Sequence, residues 1–384
     1  MLLLTGKGGV GKTSMALATA LGAARHGHRT LVLSTDAAHS LGDALGRPVG
    51  AAPVAVAPGL VAQEVGVLAE LDRAWSEIQE WLRALLREET DELVAEELLV
   101  FPGMEELVSL RAVREVEATG AYDVCVVDCA PTGATLRMLR FPDALRVFMQ
   151  HFFDLERRGA RLLRPLVDRL SAGRLIPREE FFEAFERLYR EVEDVRQILM
   201  DGERTSARLV VNPARVVVEE ARRSFAYLSL YGVATDAVVV NRELPDGARG
   251  GWFGRWAERE RREQAEIAAS FPIPILHAPL HPREVRGVEA LDTLSRQVYG
   301  ETDPARIFTR QRPVRLRKHA GATVLEVDLP GASKEEIELR VVGGELAIRV
   351  RDAERLVALP ATLAGRQLAG SRFEDGVLRI RFRP

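Results

Sequence analysis

The chain has 384 residues, 47% hydrophobic and 28% charged, which is the balance of a globular protein of two or three domains. A formal net charge of −3 gives no reason to expect nucleic-acid binding, and no run of about 18 apolar residues is available to span a bilayer. Two cysteines, Cys125 and Cys129, are too few for a disulfide framework or a four-thiolate metal cage.

Met1-Leu2-Leu3-Leu4 has no charged flank and runs into a glycine-rich loop, so no secretory leader is expected. With the sparse cysteines this predicts a reduced, cytoplasmic protein. Residues 2–5 form a short apolar strand, and residues 13–26 an alanine-rich helix stopped by Gly27. Residues 30–35 are a second buried strand, completing a βαβ unit with a right-handed crossover. Residues 66–119 read as mostly helical, broken near Phe101-Pro102-Gly103. Residues 122–128 are another strand, and 134–200 are helical again. Strands recur at 207–212, 236–241 and 273–277. This alternation predicts one α/β domain over residues 1–300, with a doubly wound, mostly parallel sheet.

The pattern changes after Gly300. Residues 301–313 read as a polar, proline-bounded linker, and residues 314–384 as short alternating runs separated by Gly and Pro turns. That predicts a small all-β sandwich domain.

Gly6-Lys7-Gly8-Gly9-Val10-Gly11-Lys12-Thr13 fits the phosphate-binding spacing G-x-x-x-x-G-K-[ST], between a strand and a helix. Glycines let backbone N–H groups turn inward as an anion nest, and the following helix aims its positive end at phosphate. The spacing predicts that Gly6 to Ser14 cradle a nucleotide triphosphate, Lys12 on the β- and γ-phosphates and the Thr13 hydroxyl on Mg²⁺. Of 53 basic residues only Lys7, Lys12, Lys318 and Lys334 are lysine, and two of them lie in this loop. A lysine is a compact point charge suited to such a cradle.

A lysine directly after the first glycine resembles the deviant Walker A group of dimeric ATPases. The resemblance implies that Lys7 reaches a partner protomer's nucleotide. Ser34-Thr-Asp-Ala-Ala-His-Ser-Leu-Gly-Asp43 is similar to switch I of the arsenite-pump and tail-anchored-protein targeting family, with Ala37 where proline is usual. Asp128-Cys-Ala-Pro-Thr-Gly-Ala-Thr-Leu-Arg137 is similar to its switch II, and Pro102-Gly103-Met104-Glu105-Glu106 to a further motif. By this resemblance Asp36 polarises the attacking water and Asp128 holds the Mg²⁺ shell. Asn241 contacts adenine, and Pro279-Leu280 cover the base. The family also implies a homodimer, ATP and Mg²⁺ as cofactors, and an apolar protein client such as a tail-anchored membrane protein. The interfacial zinc motif C-x-x-C is absent, so no interfacial zinc is expected.

The candidate client region is 134–200. Phe141, Leu145, Phe148, Phe152 and Phe153 precede a stripe of Phe181, Phe185, Leu188, Val192, Val195 and Leu199 at helical spacing. Such stripes also serve ordinary cores. Farther on, Val324-Leu-Glu-Val-Asp-Leu-Pro-Gly331, Ser333-Lys-Glu-Glu-Ile337 and Phe373-Glu-Asp-Gly-Val-Leu378 resemble the α-crystallin domain of small heat-shock proteins. Ser333 and Glu336 have the spacing of a capping box. Two alternatives stand beside the ATP-driven switch. One is an ATP-independent holdase acting through the crystallin-like domain, and the other is the ATPase subunit of an arsenite pump.

Overall fold

The computed structural model describes residues 1–36, 40–65, 104–130, 132–133, 135–137, 139–140, 143, 179–245, 247, 251–319, 322–342, 345–357, 359 and 368–382. Ala37, the Phe101-Pro102-Gly103 break and the aromatic run from Phe141 to Phe153 lie outside them, as do the side chains of Phe181, Phe185 and Leu188.

Eight strands form one sheet. They are β1 (Leu2–Thr5), β2 (Thr30–Ser34), β3 (Val54–Ala57), β4 (Leu60–Glu64), β5 (Val124–Asp128), β6 (Ser206–Val211), β7 (Thr235–Glu243) and β8 (Ile275–Pro279). Their order is β3-β4-β2-β5-β1-β6-β7-β8, and every pair is parallel except β3–β4. Every residue of β1, β2, β5 and β6 is buried. That explains their near-continuous apolar sequences, since a parallel strand is covered on both faces. In register, Leu4 and Ser34 both pair with Asp128. The carboxyl ends of β1, β2 and β5 therefore open side by side. The chain leaves β1 toward β2 and later crosses to β6 on its other side, the kind of switch point where α/β sheets place ligands.

Helix α1 (Lys12–Arg25) packs almost wholly buried, and Gly27 ends it at φ 92°. Gly22 permits a close approach, because a Cβ there would lie 2.5 Å from Ser295 Oγ and 2.7 Å from Pro304 Cγ. The β3–β4 hairpin, not anticipated from sequence, turns on Pro58-Gly59, with Gly59 at φ 77°. Further helices among the described residues are α2 (Ser40–Leu45), α3 (Met104–Thr119), α4 (Glu179–Met200), α5 (Arg215–Tyr231), α6 (Gly254–Ser270) and α7 (Val288–Tyr299). Most of α3 and α4 belongs to a second compact unit. Within it, Arg111 and Arg114 of α3 pair with Glu191 of α4, and Arg114 also with Asp194. Val192, Val195 and Leu199 of the apolar stripe are buried, so its described half serves a core.

The linker does more than connect. Arg208 and Asp236 form an ion pair with both side chains 0% exposed. Residues 306–308 close over it: Arg208 Nη2 donates to the Arg306 carbonyl at 2.8 Å, and the Phe308 N–H donates to Asp236 Oδ2 at 3.1 Å. Phe308 stacks on Tyr299, and its ring lies 4.7 Å from the Arg208 guanidinium. His28 pairs with Asp303 at 2.8 Å. The segment is a strap fixed to the eight-stranded domain.

The C-terminal domain is a sandwich of two antiparallel sheets. One contains β9 (Val314–His319), β10 (Ala322–Asp328), β14 (Leu368–Glu374) and β15 (Val377–Phe382). The other contains β11 (Ile337–Val342), β12 (Glu345–Val350) and β13 (Ala353–Val357). Leu325, Val327, Ile348, Val350, Ile380 and Phe382 build its core, which Tyr227 and Leu230 of α5 complete. The Ser333–Glu336 capping box is formed.

Candidate nucleotide site

The phosphate loop leaves β1 at Gly6, whose φ is 154° and whose absent Cβ would collide with the Val210 carbonyl on β6. Gly11, at φ 93°, lies against the Asn241 carboxamide just as closely. A side chain at either position would push the loop off β6 or β7. The loop then enters α1, where the Gly11 carbonyl accepts from the Met15 N–H at 3.0 Å. Lys12 is buried, and its Nζ lies 3.5 Å from the Lys7 carbonyl oxygen. The Thr13 hydroxyl is 3.0 Å from that of Ser40.

Asp128 ends β5 fully buried, its carboxylate oxygens short of close hydrogen-bond partners, with the Thr13 hydroxyl and the Lys12 ammonium near by. Burial pushes its pKa up to about 7, against the lowering effects of Thr13 and Lys12. Asp36 and Glu64 add to the rise. A buried carboxylate with no close hydrogen-bond partner, near the Thr13 hydroxyl, is a hard-oxygen donor set, which fits Mg²⁺ and its retained waters. Asp36 is half-buried one loop away, its N–H donating to Ser34 Oγ at 3.2 Å, while the Thr35 N–H donates to the Asp128 carbonyl at 3.0 Å.

A cavity of about 500 Å³ adjoins the loop, lined among others by Thr13, Ser14, Asn241, Arg242, Pro279 and Leu280. Asn241 is held from two sides. Its Nδ2 donates to the Val10 carbonyl at 2.8 Å, and its Oδ1 accepts from the Arg242 N–H at 2.9 Å. Arg242 stands at φ 62°, a strained value for a side-chain-bearing residue, beside this cavity. The Leu280 N–H donates to the Glu243 carbonyl, tying the loop after β8 to β7.

The structure therefore gathers Lys12, Thr13 and Asp128 at one edge, with Asp36 on the next loop. Gly11, Ser14, Asn241, Pro279 and Leu280 share the adjoining cavity. Lys7 is turned elsewhere: its Nζ is 3.3 Å from Glu220 Oε2. Three residues gained no role from sequence. Ser40 meets Thr13, Glu220 meets Lys7, and buried Glu64 accepts from the Leu41 and Gly42 N–H groups, holding α2 and with it Ser40. Both cysteines are buried, and burial pushes the Cys129 thiol up to about 12. Among the described residues no three His, Cys, Asp or Glu side chains converge as a metal site, and no helix is long and apolar enough to cross a membrane.

Comparison with known proteins agrees with this geometry. A family model described as an anion-transporting ATPase matches residues 1–300, and one described as an HSP20-like domain found in ArsA matches residues 320–382. A Prosthecochloris vibrioformis protein named a putative arsenical pump-driving ATPase is 34% identical over 386 residues, covering 100% of this chain and 95% of its own. An Aquifex aeolicus protein of the same name, numbered 1, is 33% identical over 392 residues, covering 99% of each chain. The ATPase GET3B of Arabidopsis thaliana is 28% identical over 320 residues, covering 75% of this chain and 76% of its own.

Proposed function

Because the chain belongs to the anion-transporting ATPase family, we propose that it is a dimeric switch that couples ATP binding and hydrolysis to capture of an apolar protein client. It is an ATPase by family, with an HSP20-like domain behind the nucleotide-binding domain. The observation that carries the mechanism is the buried Asp128 carboxylate, without a close hydrogen-bond partner, near Thr13 and Lys12.

In this reading the loop N–H groups bind the phosphates, and Lys12 moves from the Lys7 carbonyl to the β- and γ-phosphate oxygens. Thr13 and Asp128 would hold Mg²⁺, directly or through its waters, and bound there the ion neutralises charge on the phosphate oxygens. Asp36 accepts a hydrogen bond from the attacking water and aligns it, since phosphoryl transfer depends on positioning and electrostatics. Lys7 serves the partner protomer's nucleotide.

Asn241 reads the base. The Val10 carbonyl and the Arg242 N–H fix its amide orientation and leave one N–H and one oxygen lone pair. That pair matches adenine N7 and N6–H₂, whereas guanine offers two acceptors there. ATP is therefore favoured over GTP.

The client reading rests on the apolar sequence of 134–200 and on the HSP20-like domain. A cytoplasmic location goes with it. The relatives' arsenical-pump name supplies a second reading, turnover driven by a metalloid. Soft metalloids take thiolate ligands, and a buried thiol whose pKa is raised to about 12 is a poor one, which favours the protein client. A holdase acting without ATP remains a rival for the β domain. The test is Asp36→Asn in the full chain. Nucleotide should still bind, measured by a fluorescent ATP analogue, while single-turnover hydrolysis falls at least about 100-fold, the scale of a lost transition-state contact. Hydrolysis at the parent rate would sink the mechanism, and stimulation by arsenite would favour the pump.

A further inference from the structure

Lys7 does not lie over its own phosphate loop. Its ammonium is 3.3 Å from Glu220 Oε2, and the two side chains are 37% and 27% exposed. Its backbone carbonyl faces Lys12 Nζ at 3.5 Å, so both ends of the residue are engaged.

Glu220 sits on a firmly held helix. It lies in the second turn of α5, and its backbone carbonyl accepts from Ser224 Oγ at 2.8 Å. The same helix is clamped from two directions. Arg222 Nε donates to Ser270 Oγ at the end of α6 at 2.8 Å. On the β-domain side, the Tyr227 hydroxyl donates to Asp352, the Tyr231 hydroxyl to the Glu354 carbonyl at 3.1 Å, and Arg355 Nη1 to the Leu230 carbonyl at 2.6 Å. The neighbouring Glu219 is engaged by Arg222 at 3.1 Å. A helix held this way cannot follow the loop if Lys7 swings outward.

We propose that Glu220 is a positioning residue that parks Lys7 in cis, within its own protomer. The parked lysine must be released before it can serve a partner's nucleotide. The proposal rests on reading Lys7 as a residue that acts across a dimer, and it adds the group that competes with that action. The pair's exposure sets its size. Exposed ion pairs contribute about 0.2–1 kcal/mol, which shifts an equilibrium by about 1.5- to fivefold. That is enough to disfavour dimers without nucleotide, and small enough for a triphosphate on the partner to overcome.

The experiment measures ATP turnover per protomer against protein concentration for the full chain, with dimer fraction followed in parallel by sedimentation. Relative to the parent, Glu220→Gln should lower the half-maximal concentration for turnover and for dimerisation by about 1.5- to fivefold for each lysine released. In a Lys7→Ala background the same substitution should change neither, because the parked group is gone. Half-maximal values equal to the parent's overturn the proposal. So does an equal shift in the Lys7→Ala background, which would mark Glu220 as merely structural. If turnover depends on neither concentration nor Lys7, the dimer reading itself fails, a result distinct from loss of the parking contact alone.

Discussion

Replacing Asp236 by asparagine tests an ion pair whose two side chains are wholly buried. Arg208 and Asp236 are each 0% exposed, and the guanidinium meets the carboxylate twice, Nε to Oδ1 at 3.1 Å and Nη2 to Oδ2 at 3.2 Å. The carboxamide of Asp236→Asn would keep an acceptor for the Phe308 N–H but leave Arg208 as a buried cation with no counter-charge. Removing one member of such a pair costs about 3–5 kcal/mol. At a urea slope of about 2–3 kcal/mol/M, the unfolding midpoint should fall by about 1–2.5 M. The assay is a urea titration of the full chain followed by helix circular dichroism. Removing both charges, Arg208→Met with Asp236→Leu, should recover part of the loss. It still leaves the Phe308 N–H and Arg306 carbonyl without partners, a residual of about 1–3 kcal/mol for each such group. A midpoint for Asp236→Asn within about 0.3 M of the parent, about 1 kcal/mol or less, would refute the reasoning.

Asn241→Asp turns the Nδ2 donor into an acceptor facing the Val10 carbonyl and the base. ATP preference over GTP should shrink by about tenfold or more, the scale of about 1–3 kcal/mol for one bidentate base contact. Competition against a fluorescent nucleotide checks it, and an unchanged preference would count against Asn241 as the base reader. On the acid side, Asp303 has its pKa lowered: burial raises it, but the hydrogen bonds from His28 and the Ala305 N–H outweigh that. A depressed carboxyl contributes stability above its ordinary value of about 3.9, and loses it as pH falls through the lower folded value. Asp303→Asn should therefore be less stable than the parent at neutral pH, with the difference vanishing once pH drops through that window. A difference in urea midpoint that persists at the lowest pH would contradict the assignment.

Sequence legibility followed the range of the interactions. The loop between β1 and α1 is a local pattern, and so are the apolar runs of β2 and β5 whose ends bring Asp36 and Asp128 together. The Ser333–Glu336 capping box is likewise contained within four residues. The β3–β4 hairpin was missed because Val54-Ala-Val-Ala57 offers little side-chain contrast between its two faces, leaving Pro58-Gly59 as the main signal. The strap read as a polar spacer because its partners, Arg208 and Asp236, lie far away in sequence. Glu64, Ser40 and Glu220 failed for the same reason: a lone carboxylate or hydroxyl has no local signature, and only the fold supplies its partner.

Helix α5 is where these distant contacts meet. Its second turn carries the carboxylate that faces Lys7, and its last turns place Tyr227 and Leu230 inside the core of the β sandwich. The two ends belong to one rigid hydrogen-bonded rod, so they are not independent. Ending the chain before Val314 would strip Tyr227 of Asp352, the Tyr231 hydroxyl of the Glu354 carbonyl and the Leu230 carbonyl of Arg355, and would expose two large apolar side chains. The nucleotide-binding domain assayed alone would then hold Glu220 on a helix that keeps the Arg222–Ser270 contact but has lost its three clamps to the β domain. Any change in its dependence on Lys7 would report that loss as much as the absence of a client-binding module. The β domain's contribution to turnover is better isolated in the full chain, by substitutions on its far face, where α5 is left in place.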